Sequence, residues 1–238
     1  MLKQPGFVES AFIKWLTRPT TVSAIEDITP KFRLVTLTGE ALKDHVFAVG
    51  QKAQMTLGGF TSRTYTPMMW DNAAGLTKFL AYIHGDGPAS RWLAGLKIGD
   101  DVAVFGPRGS LDLSRVVAPA LLFGDETSFG LAASLATSGV CDVTFLFEVA
   151  SASAARVVLG ALGISNAVLV ERKAGDAHMA EVEGTMKQLI ETRALKKFVL
   201  TGKAQSIQVQ SRALKARGVT SADIKAKAYW APGKTGLD

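Results

Sequence analysis

The sequence predicts a two-part chain: a small six-stranded antiparallel β-barrel over residues 1–117, followed by a doubly wound parallel α/β sheet over residues 118–238. Three observations carry this prediction. The first half is built of short β-branched segments separated by turn residues. From about residue 118 strand-like and helix-like segments alternate, which is the pattern of a parallel sheet. Finally, 238 residues of which 47% are apolar suffice for two modest cores, domains of about 100–150 residues being the usual size.

In the first half the strand segments are 20–28, 31–38, 51–57, 62–69, 76–84 and 101–105, with Asn72, Gly75, Gly99 and Asp100 as punctuation. One helix interrupts them, opening at Pro88, whose missing N–H and fixed φ suit a first helical position. In the second half, buried strands at 120–124, 144–149, 167–173, 196–202 and 224–230 alternate with helices at 127–139, 153–163, 179–193 and 204–218. Met179, Val182, Met186, Leu189 and Ile190 recur at helical spacing in the third of these. The seam between the parts is expected near Ser114 to Pro119.

Composition narrows the function. No stretch of roughly eighteen apolar residues occurs, and VVAPALLFG is broken by Pro119. Pro5 and Glu9 interrupt any signal-peptide core, so a cytoplasmic location is expected, with no membrane partner. The single Cys141, at the start of a strand segment, excludes an internal disulfide and reads as a buried structural thiol. His45, His84 and His178 are scattered, so no protein-held metal is expected. The net charge of +6 favours anionic partners. Because the basic residues form no block and are not interleaved with aromatics, nucleic acid is not expected.

The chemistry concentrates in two motifs. In Arg63-Thr64-Tyr65-Thr66, read as strand, Arg63 and Tyr65 share a face. A guanidinium offers forked donors to phosphate and a tyrosine ring can cover an isoalloxazine. Thr66 points to the other face, or lies at a strand end where its hydroxyl or amide reaches a ring nitrogen. In His84-Gly85-Asp86-Gly87-Pro88-Ala89-Ser90, the helix opening leaves the Ala89 and Ser90 amides and the Ser90 hydroxyl facing outward, where an anion fits. Alone, the first motif also reads as an ordinary half-buried strand with a solvated arginine and the second as a turn with an N-cap; their combination in one half of the chain points to a flavin site. In the second half, ligands are expected at the carboxyl ends of the strands. The first strand-to-helix turn there, Gly124-Asp125-Glu126-Thr127-Ser128, reads as a modest nucleotide signal or as an ordinary acidic helix start.

These residues, in this order, resemble the siderophore-interacting proteins, a branch of the ferredoxin-NADP reductase-like flavoproteins. The resemblance runs through Arg63–Thr66, Trp70-Asp71, His84–Ser90 with Trp92, Gly99-Asp100, Gly106–Ser110, Gly124–Thr127 and Tyr229-Trp230 with Gly233. It implies an FAD-binding barrel and a nucleotide-binding-like α/β domain. It also implies reduction of ferric siderophores, with electrons from NADH, NADPH or a ferredoxin, and with no catalytic side chain because the flavin carries the chemistry. The implied cofactor contacts are Arg63, Tyr65, Thr66, His84, Gly87, Pro88, Ala89, Ser90, Thr127, Tyr229 and Trp230. The last two read equally as the end of a core strand.

Lys52, Lys203 and Lys234 are candidates for recruiting an anionic chelate. Glu148 would favour a free ribose hydroxyl of the donor, and Arg172 and Lys173 a phosphate. The chain departs from the family pattern at Met68, where an arginine is common, at Gln54, where a lysine is, and at Lys203, where a glutamate is. Two other classes fit the same residues: a general flavin or quinone reductase, and a non-enzymatic siderophore-binding protein.

Overall fold

The computed structural model describes residues 17–57, 62–113, 116–117, 119–139 and 142–234. The readings of Pro5, Glu9 and Cys141, and much of the expected seam, lie outside the described residues. The chain divides into two compact units, Met1–Ser110 and Leu111–Asp238.

Unit 1 is an antiparallel sheet of seven strands: β1 (Arg18–Thr29), β2 (Phe32–Thr38), β3 (Lys52–Thr56), β4 (Ser62–Tyr65), β5 (Pro67–Asp71), β6 (Leu76–Tyr82) and β7 (Asp101–Arg108). Their order is β4-β3-β7-β1-β2-β6-β5. The single strand expected over 62–69 is two strands, which makes seven where six were predicted. Pro67 has no N–H to give to the β3–β4 ladder, so pairing passes there from β3, opposite Tyr65, to β6, where Pro67 faces Phe79. The two outermost strands of the order are thus joined by Thr66 alone, and a sheet whose ends are one residue apart must curl into a barrel. Its interior is the alternating set Val35, Leu37, Ala53, Met55, Phe79, Ala81, Val102 and Val104, all buried. Helix α1 (Pro88–Gly95) adds Leu93 to this core.

Unit 2 is a five-stranded sheet in which every adjacent pair is parallel. Its strands are β8 (Ala120–Gly124), β9 (Val143–Val149), β10 (Val168–Glu171), β11 (Lys197–Lys203) and β12 (Ile224–Trp230), in the order β10-β9-β8-β11-β12. The helices are α2 (Phe129–Ser138), α3 (Ala152–Ala161), α4 (Met179–Arg193) and α5 (Ala204–Ala216). Every residue of β8 and β9 is buried, as expected for strands covered on both faces. Strand order reverses between β8 and β11, the doubly wound arrangement the alternation predicted, and a crevice at the carboxyl ends of these two strands follows from it. No helix among the described residues is long and apolar enough to cross a membrane.

Candidate functional site

Two clusters bear on function, one in each unit. In unit 1, the register places Tyr65 opposite Ala53 and Arg63 opposite Met55, so both side chains lie on the face shared with those two buried residues. The Tyr65 ring packs at 4.9 Å from that of Phe79, tilted by 37°. Burial raises the Tyr65 hydroxyl well above an ordinary tyrosine, and the nearby Arg63 charge only partly offsets this. Arg63 is half-buried, and its Nη1 donates to the Ser62 carbonyl at 2.8 Å. None of the ion pairs among the described residues includes it. A half-buried cation without a described counter-charge has the charge and position to hold an anion. Thr66 stands at the strand end, between β4 and β5.

From Phe79, β6 runs three residues, about 10 Å, to Tyr82 and the segment that opens α1. Pro88 is the first helical residue and Gly87 the N-cap, with no side-chain cap and no acid in the first turn. The Ser90 hydroxyl donates to the His84 carbonyl at 2.8 Å, which pins the loop to the helix start. The His84 ring is exposed and lies 5.0 Å from that of Tyr82. A Cβ added at Gly85 or Gly87 would meet nothing within 4 Å. The uncapped amides of Ala89 and Ser90 and this open approach are what a pyrophosphate requires.

Three arginines complete the cluster and were not singled out from the sequence. Arg91, one turn into α1, donates to the Asp86 carbonyl and so places a cation beside the helix start. Arg33 closes the other end of α1: its Nη1 donates to the carbonyls of Leu93 (2.6 Å) and Leu96 (3.4 Å) while Nε and Nη2 hold Asp27 at 2.6 and 3.0 Å. Arg108 lies 4.6 Å over the Phe105 ring and donates to Gln54 Oε1 at 2.6 Å, which returns a cation to the place where Gln54 removed one. Arg108 stands inside a motif already quoted, and Arg91 directly follows one. Arg33 carries no local signal, because its role depends on β2 passing the end of α1.

The three lysines considered for recruiting a chelate fall in different settings. Lys52 is only 8% exposed. Lys203 is paired with Asp176, at 2.7 and 2.9 Å from its two carboxylate oxygens, and this hydrogen bond holds the Asp176 carboxyl below its usual range. Lys234 is exposed.

In unit 2 the turn after β8 is organised by its own acids. Asp125, 1% exposed, accepts from the amide (2.9 Å) and hydroxyl of Thr127 through one oxygen, and from Trp230 Nε1 at 2.7 Å through the other. Burial pushes its carboxyl up to about 6, against the lowering effect of these hydrogen bonds. Tyr229 and Trp230, the last residues of β12, are both half-buried. Glu126 accepts from the Ala150 amide at 2.6 Å and is held by Arg172 through contacts of 2.7 and 2.8 Å. The two acids of the turn are thus internally satisfied.

The residues considered for choosing between NADH and NADPH have other tasks. Glu148, 1% exposed, is bonded to buried His178 at 2.8 Å, Arg172 holds Glu126, and Lys173 pairs with Glu181 at 2.9 Å. No group of three or more potential metal ligands occurs among the described residues.

Residues 59–111 match the family model of the siderophore-interacting FAD-binding domain. At the sequence level no curated protein matches the chain. Among solved structures it is similar to a siderophore utilization protein from T. fusca, with a TM-score of 0.69 and 23% identity over 93% of this chain and 95% of that one. The siderophore-interacting protein SipS from Aeromonas hydrophila gives a TM-score of 0.71 and 20% identity over 92% and 94%. A ferredoxin NADP+ reductase from Neisseria gonorrhoeae, solved with bound FAD and NADP, gives 0.72 and 16% over 90% and 99%. At these identities the likeness is one of fold. The chain therefore has the fold of the ferredoxin-NADP reductase-like flavoproteins, and its segment 59–111 matches the siderophore-interacting FAD-binding family within that fold.

Proposed function

We propose that the chain is an FAD-dependent reductase that delivers electrons to ferric iron held by a siderophore, with NADH, NADPH or a ferredoxin as donor, acting in the cytoplasm. One observation carries this reading. The half-buried Arg63, without a described counter-charge, and the uncapped start of α1 both lie in unit 1, within the segment that matches the FAD-binding family. When bound, FAD supplies the acceptance of a hydride and its release as single electrons. The side chains supply position and charge. Arg63 and the Ala89 and Ser90 amides hold phosphate, Arg91 adds charge at the helix start, Tyr65 offers a ring face and Thr66 a hydroxyl at the strand end. In unit 2, Thr127, Tyr229 and Trp230 are the candidate contacts to flavin or nucleotide.

A second reading, a general flavin or quinone reductase for which iron is incidental, is favoured by one observation. Two of the three lysines proposed to recruit an anionic chelate are buried or ion-paired. The test is direct. The purified protein should be yellow or take up added FAD, its flavin should bleach anaerobically with one of the three donors, and a ferric chelate should then restore the colour with ferrous iron appearing in a trap. A colourless protein that takes up no FAD refutes the proposal. Equal turnover with quinones, unaffected by Lys52→Ala and Lys234→Ala, decides for the second reading.

A further inference from the structure

Asp125 contributes more than an acid to the turn after β8. Its two oxygens point in different directions, one to the amide and hydroxyl of Thr127 and the other to the indole of Trp230, 105 residues away in the chain. The backbone on the far side of the crevice is shaped around it: a Cβ at Gly202 would lie 2.6 Å from Asp125 Oδ2, and Gly202 has φ +98. Of the twelve strands, β12 is the last and lies at the edge of its sheet, paired only with β11. Trp230 is its final residue, paired with Lys203 of β11 just past a register irregularity between Gly202 and Lys203. A single buried carboxylate just after β8 therefore ties the indole at the end of β12 to the turn after β8, across the intervening β11.

We propose that Asp125 is the positioning residue for Trp230: the carboxylate fixes the indole at the mouth of the crevice between β8 and β11, in the same stroke as it orients Thr127. This deepens the reading of Trp230 and Thr127 as cofactor contacts and rests on it. A charged acceptor suits the task, since a carboxylate takes hydrogen bonds from several donors at once and holds them more strongly than a neutral group does. An asparagine in its place can satisfy Thr127 or Trp230 with its one oxygen, but its amide group faces the other as donor to donor.

The indole itself reports on this. In protein with 15N-labelled tryptophan, the Trp230 Nε1–H resonance is assigned by its absence in Trp230→Phe. Its hydrogen exchange should speed up at least tenfold in Asp125→Ala, and in Asp125→Asn should the alanine variant not fold. Exchange unchanged within twofold overturns the proposal.

A second readout separates positioning from mere stability. At saturating FAD, the rate of flavin reduction by the effective donor should fall about equally in Asp125→Asn and Trp230→Phe, and the double variant should be no slower than the slower single one. Losses that multiply overturn the claim that Asp125 acts through Trp230. The exchange measurement needs no cofactor. A protein that takes up no FAD therefore defeats the flavin reading while the carboxylate–indole link stands or falls on its own data.

Discussion

Replacing Arg172 by Met tests whether the carboxyl edge of unit 2 is held by internal ion pairing. Glu126 is 6% exposed and Arg172 24%, with two parallel contacts of 2.7 and 2.8 Å between them. Removing the guanidinium leaves a buried carboxylate whose remaining contact is the Ala150 amide, and breaking a buried pair from one side costs about 3–5 kcal/mol. The lost bond from Arg172 to the Glu148 carbonyl, 2.9 Å in the native protein, adds about 1 kcal/mol.

Urea titrations followed by circular dichroism should therefore show a loss of about 4–6 kcal/mol at pH 7. The double variant Glu126→Gln/Arg172→Met should recover most of the loss at pH 7. A loss below about 1 kcal/mol at pH 7 refutes the reasoning. Because Arg172 is engaged with Glu126, the NADPH to NADH preference of any surviving activity should stay unchanged.

Four further predictions follow from the geometry. Arg63→Ala removes a charge-assisted phosphate contact worth about 1.5–3 kcal/mol, so the FAD dissociation constant measured by flavin fluorescence should rise about 10- to 150-fold. Arg33→Ala releases the far end of α1. FAD affinity should weaken by about tenfold, or 1.4 kcal/mol, while turnover at saturating FAD stays near the native value. Gly202→Ala places a methyl group 2.6 Å from the Asp125 carboxylate at φ +98, so thermal unfolding should show a loss of at least about 2 kcal/mol.

The Asp125 carboxyl is raised from 3.8 to about 6 by burial, so the folded state holds its proton more tightly than the unfolded chain. Its contribution to stability is greatest below about pH 4 and declines by about 3 kcal/mol as pH rises to about 6. Asp125→Asn should lack that decline, and parallel pH–stability profiles would contradict the assignment.

Much of unit 1's site was legible in the sequence because it is local. Pro88 opens α1 through a property of its own ring, and Arg63 and Tyr65 share a face through the two-residue period of a strand. The division at Pro67 was missed although the proline was in view. A segment rich in Thr, Tyr and Trp reads as one strand until it is known that its two halves pair with different neighbours, β3 and β6. The settings of two lysines were hidden for a related reason: burial at Lys52 and the Asp176 partner of Lys203 are set by elements far away in the chain.

By itself, then, the sequence determined the succession of elements apart from the break at Pro67, the change from antiparallel barrel to alternating sheet, and the placement of Arg63, Tyr65 and the α1 opening. Each of these depends on periodicity or on the conformational limits of single residues. Only the tertiary structure decided which charges meet: Asp125 with the indole of Trp230, Glu126 with Arg172, Glu148 with His178, Arg33 with the end of α1. Those pairings join residues far apart in the chain, and their partners are chosen by strand order and register, which hydrophobic periodicity does not encode.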